Sequence, residues 1–161
     1  MSQHQRAHLA RIGQLAATMA TGDALLIFPE GRNVSPAHRR RAIERLRRAG
    51  REQAARRAER IVHLMPPRAR GVQAALAARH DLDVVMAAHA GLDHLHTVPQ
   101  LWRAVTGEKT LHLAWRSVPA ACVPKDLRAL AGWVFAEWER MDAWVGMTHA
   151  SGAEVCLGSN D

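Results

Sequence analysis

The pattern of apolar and polar positions divides the chain into alternating helical and extended runs. Over residues 5–20, Leu9, Ile12, Leu15, Ala16 and Met19 recur at helical spacing, which predicts an amphipathic helix stopped at Gly22. Ala24 to Phe28 is apolar without alternation, as in a buried parallel strand, and Pro29 and Gly31 punctuate the turn after it. Ser35-Pro36 starts a charged helical stretch over 36–60, with a thin apolar stripe of Ile43, Leu46, Ala54, Ala58 and Ile61 and a break at Gly50. Ile61 to Met65 reads as a second strand closed by Pro66-Pro67, Val72 to Arg79 as a short helix, and Leu82 to Ala88 as a third strand. Residues 99–105 read as a helical turn or two. Thr110 to Val118 alternates, as a half-exposed strand does. In Pro124 to Val145, Leu127, Leu130, Val134, Trp138, Met141 and Val145 fall three and four apart and predict a long helix.

This order predicts an α/β fold with a mainly parallel sheet flanked by helices. One domain is expected over residues 1–145, with 146–161 a flexible tail. No internal repeat and no Pro- or Ser-rich linker divides it.

Charge narrows the partners. The 161 residues carry a net charge of +7 and a pI near 11.1, which favours phosphate ligands, acidic lipid surfaces or nucleic acid. Ten arginines between Arg39 and Arg60 face only Glu44, Glu52 and Glu59. A solvated helix face is the plain reading of that run, ahead of contact with anionic headgroups. Nucleic acid is disfavoured, because tyrosine is absent and no aromatic residue interleaves with the basic run. Cys122 and Cys156 form no C-x-x-C pair and read as reduced thiols. The polar N-terminus lacks a signal-peptide core, and no apolar run reaches the roughly 18–20 residues of a membrane span. A cytoplasmic location, peripheral to a membrane, is therefore expected.

The run Leu25-Leu26-Ile27-Phe28-Pro29-Glu30-Gly31-Arg32 resembles the FPEGTR block of the glycerolipid acyltransferases, which acylate lysophosphatidic acid and related lysolipids. Three further stretches resemble that family in order. Met65-Pro66-Pro67-Arg68-Ala69-Arg70-Gly71 is similar to its LLPRTKGF block, as in the lysophosphatidic-acid and lysocardiolipin branch. Leu101-Trp102 to Leu113, with Gly107-Glu108, is similar to its "L…l.G" segment, and Leu111 to Pro119 to the "vHlhvrriP" strand that follows. Trp133, Trp138, Glu139, Met141 and Asp142 are similar to its C-terminal helix.

The resemblance implies acyl transfer from acyl-CoA or acyl carrier protein to a lysophospholipid hydroxyl, with no cofactor beyond that co-substrate. In the family a histidine acts as general base on the hydroxyl and an aspartate orients it. No histidine of this chain has an aspartate five residues on, so no catalytic residue is assigned; His89 to Asp93 is one short and reads as a loop. The implied acceptor site is Glu30, Gly31 and Arg32, with Arg68 behind them as a second phosphate contact, since a guanidinium binds phosphate bidentately. Arg32 stands where the family has threonine, and Asn33 where it has arginine. The chain thus reads as the C-terminal part of such a domain, with an apolar sheet edge left open. The alternative is a non-enzymatic basic module for anionic membranes or a partner protein. No metal site is expected: His89, His94 and His96 lack a ligand pattern. The tryptophans at 102, 115, 133, 138 and 144 read as core, with a membrane interface the alternative for Trp144.

Overall fold

The computed structural model describes residues 3–31, 34–91 and 111–151. Helix α1 (Gln3–Ala17) packs along α4 (Arg70–Ala78). Gly13 lets the two helices approach, its Cβ position lying 3.4 Å from the Ala74 carbonyl oxygen. Helices α2 (Pro36–Arg48) and α3 (Glu52–Arg60) form a hairpin. Ser35 caps α2 by accepting the His38 N–H at 3.2 Å. The chain turns between the two helices at Gly50, whose φ of +66° suits a residue without a side chain.

The longest element is α5 (Leu127–Ser151), capped by Asp126, whose Oδ1 accepts the N–H groups of Arg128 and Ala129. It is the axis of the fold. Its buried residues Val134, Phe135 and Trp138 meet Ile43, Ala55, Ala58, Ile61 and Met86, while Leu130 meets Val118 and Val123. Trp144 and Val145 extend this core towards Ala88 and Ala90. The helix runs past Gly146, where the sequence reading ended it. At that glycine the backbone passes the His63 ring so closely that an added Cβ would lie 2.7 Å from Nε2.

The parallel sheet is not found. Among the described residues the sheet has two strands, β1 (Val84–Ala90) and β2 (His112–Val118), and they pair antiparallel with Val84 opposite Val118 and Ala90 opposite His112. The fold is predominantly helical. Two expected strands join no ladder among the described residues. Residues 61–65 spend their amides elsewhere: the N–H groups of Val62, His63 and Leu64 all go to the Asp142 carboxylate of α5. Residues 24–28 form no helix, and among the described residues no strand pairs with them.

Strand parity corrects two further expectations. Met86, Ala88 and Ala90 face α5, so Val85, Ala87 and His89 face outward, and the register places Trp115 opposite Ala87 on that outer face. Trp115 is therefore exposed, at 63%, rather than core, while Trp138 and Trp144 are buried as expected. His89 lies on β1, not in a loop. The inward position of β2 opposite Met86 holds Arg116, which reaches the buried Glu137 of α5 at 2.7 and 2.8 Å. The expected helical turn at 99–105, Trp102, His94, His96 and Cys156 lie outside the described residues.

Candidate functional site

The site follows from how Phe28 to Gly31 turns. The Gly31 N–H donates to the Phe28 carbonyl at 3.2 Å, closing a turn with proline in its second place, where the ring's fixed φ fits. Gly31 has φ of +67°, in the left-handed region where glycine carries no steric penalty. Its bare face also receives the Arg68 guanidinium: a Cβ there would lie 3.1 Å from Nη1. The Arg68 N–H donates to the Pro29 carbonyl at 2.9 Å, which fastens the Pro66–Arg68 segment to the turn.

The structure thus brings three of the four sequence-predicted residues, Glu30, Gly31 and Arg68, to one place. Arg32 lies outside the described residues, as does Asn33. Helix α2 supplies what the sequence reading left in a solvated face. His38, Arg41 and Arg45 line a narrow cleft together with Glu30, Met65, Pro66 and Arg68. Their spacing of three and four residues puts them on one helical face, and that was the available signal. The other arginines of the run are mostly occupied. Arg39 bonds the carbonyls at the end of α3, Arg47 pairs with Glu59, and Arg57 makes a two-pronged pair with Glu139 at 2.9 and 3.1 Å. Arg41 and Arg45 make no ion pair among the described residues. The His38 Nδ1 is buried without a hydrogen-bond partner there.

Glu30 sits between this cleft and the core. Burial pushes its pKa above the ordinary carboxylate value, and the nearby Asp142 charge adds to the rise. The Met65 N–H and the Trp138 indole act in the opposite direction. The Trp138 N–H is itself buried and makes no hydrogen bond of ordinary geometry, so its help to the Glu30 charge is through proximity. Four successive amides, of residues 62 to 65, therefore address two carboxylates: three meet Asp142 and the fourth meets Glu30. Glu30 is as much a structural clasp as a ligand group. Asp142 entered the sequence reading only through the resemblance of its helix; its role as an amide acceptor was not legible there.

A second, wider cleft of about 730 Å³ is lined by Arg60, His63, Glu139, Asp142, Gly146 and Met147, with the His63 and His149 rings edge to face at 5.4 Å. Among the described residues no group of three or more His, Cys, Asp or Glu side chains is placed to hold a metal. No described helix is long and apolar enough to cross a membrane.

The first cleft is small, about 20 Å³, and is lined by three guanidinium groups and a single carboxylate whose charge burial disfavours, so its mouth attracts anions. No protein-family model, no curated protein and no solved structure matches this chain, so the reading rests on its own residues.

Proposed function

We propose that the chain is an acyltransferase-like protein of phospholipid metabolism whose Glu30–Gly31 turn, with Arg41, Arg45 and Arg68, holds the phosphate of a lysophospholipid acceptor such as 1-acylglycerol-3-phosphate. The observation that carries the reading is the convergence of these three arginines on one cleft beside the turn. The acyl donor would be a CoA or carrier-protein thioester. Binding, not turnover, is assigned to these residues, because the sequence offers no histidine with an aspartate at the family spacing. The reading places the chain at the cytoplasmic face of a membrane, peripherally bound.

Titration calorimetry with monomeric lysophosphatidic acid and with uncharged monoacylglycerol tests it. The phosphate-bearing lipid should bind roughly tenfold tighter or better, and R41A/R45A should erase the difference. Equal binding of the two lipids would overturn it.

A second reading, docking on an anionic bilayer, is favoured by the exposed Leu26 and Phe28 just before the basic cleft. Vesicle co-sedimentation with and without acidic lipid tests that reading, and binding indifferent to lipid charge would sink it.

A further inference from the structure

Residues 24–28 belong to no helix and no ladder among the described residues. Their side chains alternate: Leu25 and Ile27 are half-buried, and Leu26 and Phe28 stand out at 76% and 75% exposure. The inner side is anchored, since the Ile27 methyl Cγ2 and the Ile12 Cδ1 both lie 3.6 Å from the Cβ position of Gly71 on α4. The backbone groups of residues 24–27 make no hydrogen bond among the described residues. An apolar edge of this kind, unpaired and unprotected by charge or proline until Pro29, is a template for strand addition.

The ends of this edge differ in charge environment, and that difference says what fits. Beyond Phe28 the Arg68 N–H holds the Pro29 carbonyl, and the cleft of Arg41, Arg45 and Arg68 opens directly past the edge. The cleft is strongly basic within a chain of net charge +7, which opposes pairing with a second copy of itself. We infer that residues 24–28 are the docking edge for an extended apolar strand of a partner protein, with acidic residues at one end of that strand seated in the Arg41–Arg45–Arg68 cleft. Main-chain hydrogen bonds to the edge supply affinity, Leu26 and Phe28 supply apolar contact, and the arginines fix polarity and register. This inference uses the same cleft as the lipid reading but does not rest on it.

The test uses a fluorescein-labelled peptide of alternating valine and threonine ending in two glutamates, and a control ending in two lysines. Fluorescence anisotropy should show the acidic peptide binding at least roughly tenfold tighter. Hydrogen exchange should slow at the amides of Leu25 to Ile27 on peptide binding. L26D and F28D, both at exposed positions, should weaken binding, and R41E/R45E should abolish the preference for the acidic peptide. Equal binding of the two peptides, or unchanged exchange at residues 25–27, would overturn the proposal. So would a dimer of the free chain that L26D dissociates, since the edge would then belong to a second copy. Lysophosphatidic acid binding that survives L26D leaves the lipid reading standing whichever way the peptide result falls.

Discussion

The Asp142 carboxylate accepts the His63 backbone N–H at 2.7 Å, joining residues 79 apart in sequence. Asp142 is buried and takes the Val62 and Leu64 amides as well, at 3.0 and 2.8 Å. D142A leaves three amides without an acceptor and should cost about 3 kcal/mol of stability. D142N keeps one acceptor oxygen and should recover part of the loss. Urea unfolding midpoints of the three proteins check this, and an alanine variant as stable as the parent would contradict it.

Glu30 makes stability fall with rising pH. Its pKa is raised in the folded state by burial, so the folded chain holds this proton more tightly than the unfolded chain does. Its destabilising contribution is absent below the ordinary value of 4.5 and grows as pH climbs through the raised one. E30Q keeps an acceptor for the Met65 N–H without the buried charge. It should raise the thermal midpoint at pH 7 and leave it nearly unchanged at pH 4. Equal effects at both pH values would refute the assignment.

Glu139 acts in the opposite sense. Hydrogen bonds from Arg57, burial notwithstanding, hold its pKa below 4.5, with Arg60 adding to the fall. The contribution is present above the unfolded value and is lost as pH drops through the folded one. Arg57 also donates to the Gly132 carbonyl at 3.1 Å and lies over the Phe135 ring at 5.3 Å. R57A should lower stability by about 1–2 kcal/mol at pH 7 and flatten its decline between pH 5 and pH 3, as read from urea midpoints along that range.

Gly31 couples backbone strain to the binding cleft. G31A would put a side chain in the left-handed region, costing about 1–2 kcal/mol, and would press a methyl group against the Arg68 guanidinium. Lysophosphatidic acid binding should weaken more than R68K weakens it, because the turn and the arginine are disturbed together. Thermal melts and calorimetry of the two variants measure both effects.

How much of this was written in the sequence depends on the range of the interactions involved. The helices were legible because apolar spacing and local caps such as Ser35 act within a few residues. The β1 and β2 runs were also legible, but not that they pair with each other antiparallel, which depends on a segment closing over many residues. The apolar runs at 24–28 and 61–65 look like strands by composition. Their fate was decided by distant groups: Asp142 took the amides of the second, and among the described residues nothing paired with the first. In the candidate site, Glu30, Gly31 and Arg68 could be named from motif blocks, whereas His38, Arg41 and Arg45 were hidden inside a run of look-alike arginines. Only the α2 face separates them from neighbours such as Arg47 and Arg48, which pair with glutamates.

The clasp at residues 62–65 implies an uneven tolerance to sequence change. The fold holds this segment through its amide hydrogens as well as through the buried Met65, the packed Leu64 and the His63 ring, and of residues 62–65 only Val62 is exposed. Val62, more than half exposed, can become almost any residue that keeps an N–H. Proline is the exception at all four positions, and the two prolines of the segment stand immediately after it, at 66 and 67. Moving either one a few residues towards the N-terminus would open the clasp while leaving composition and hydrophobicity unchanged.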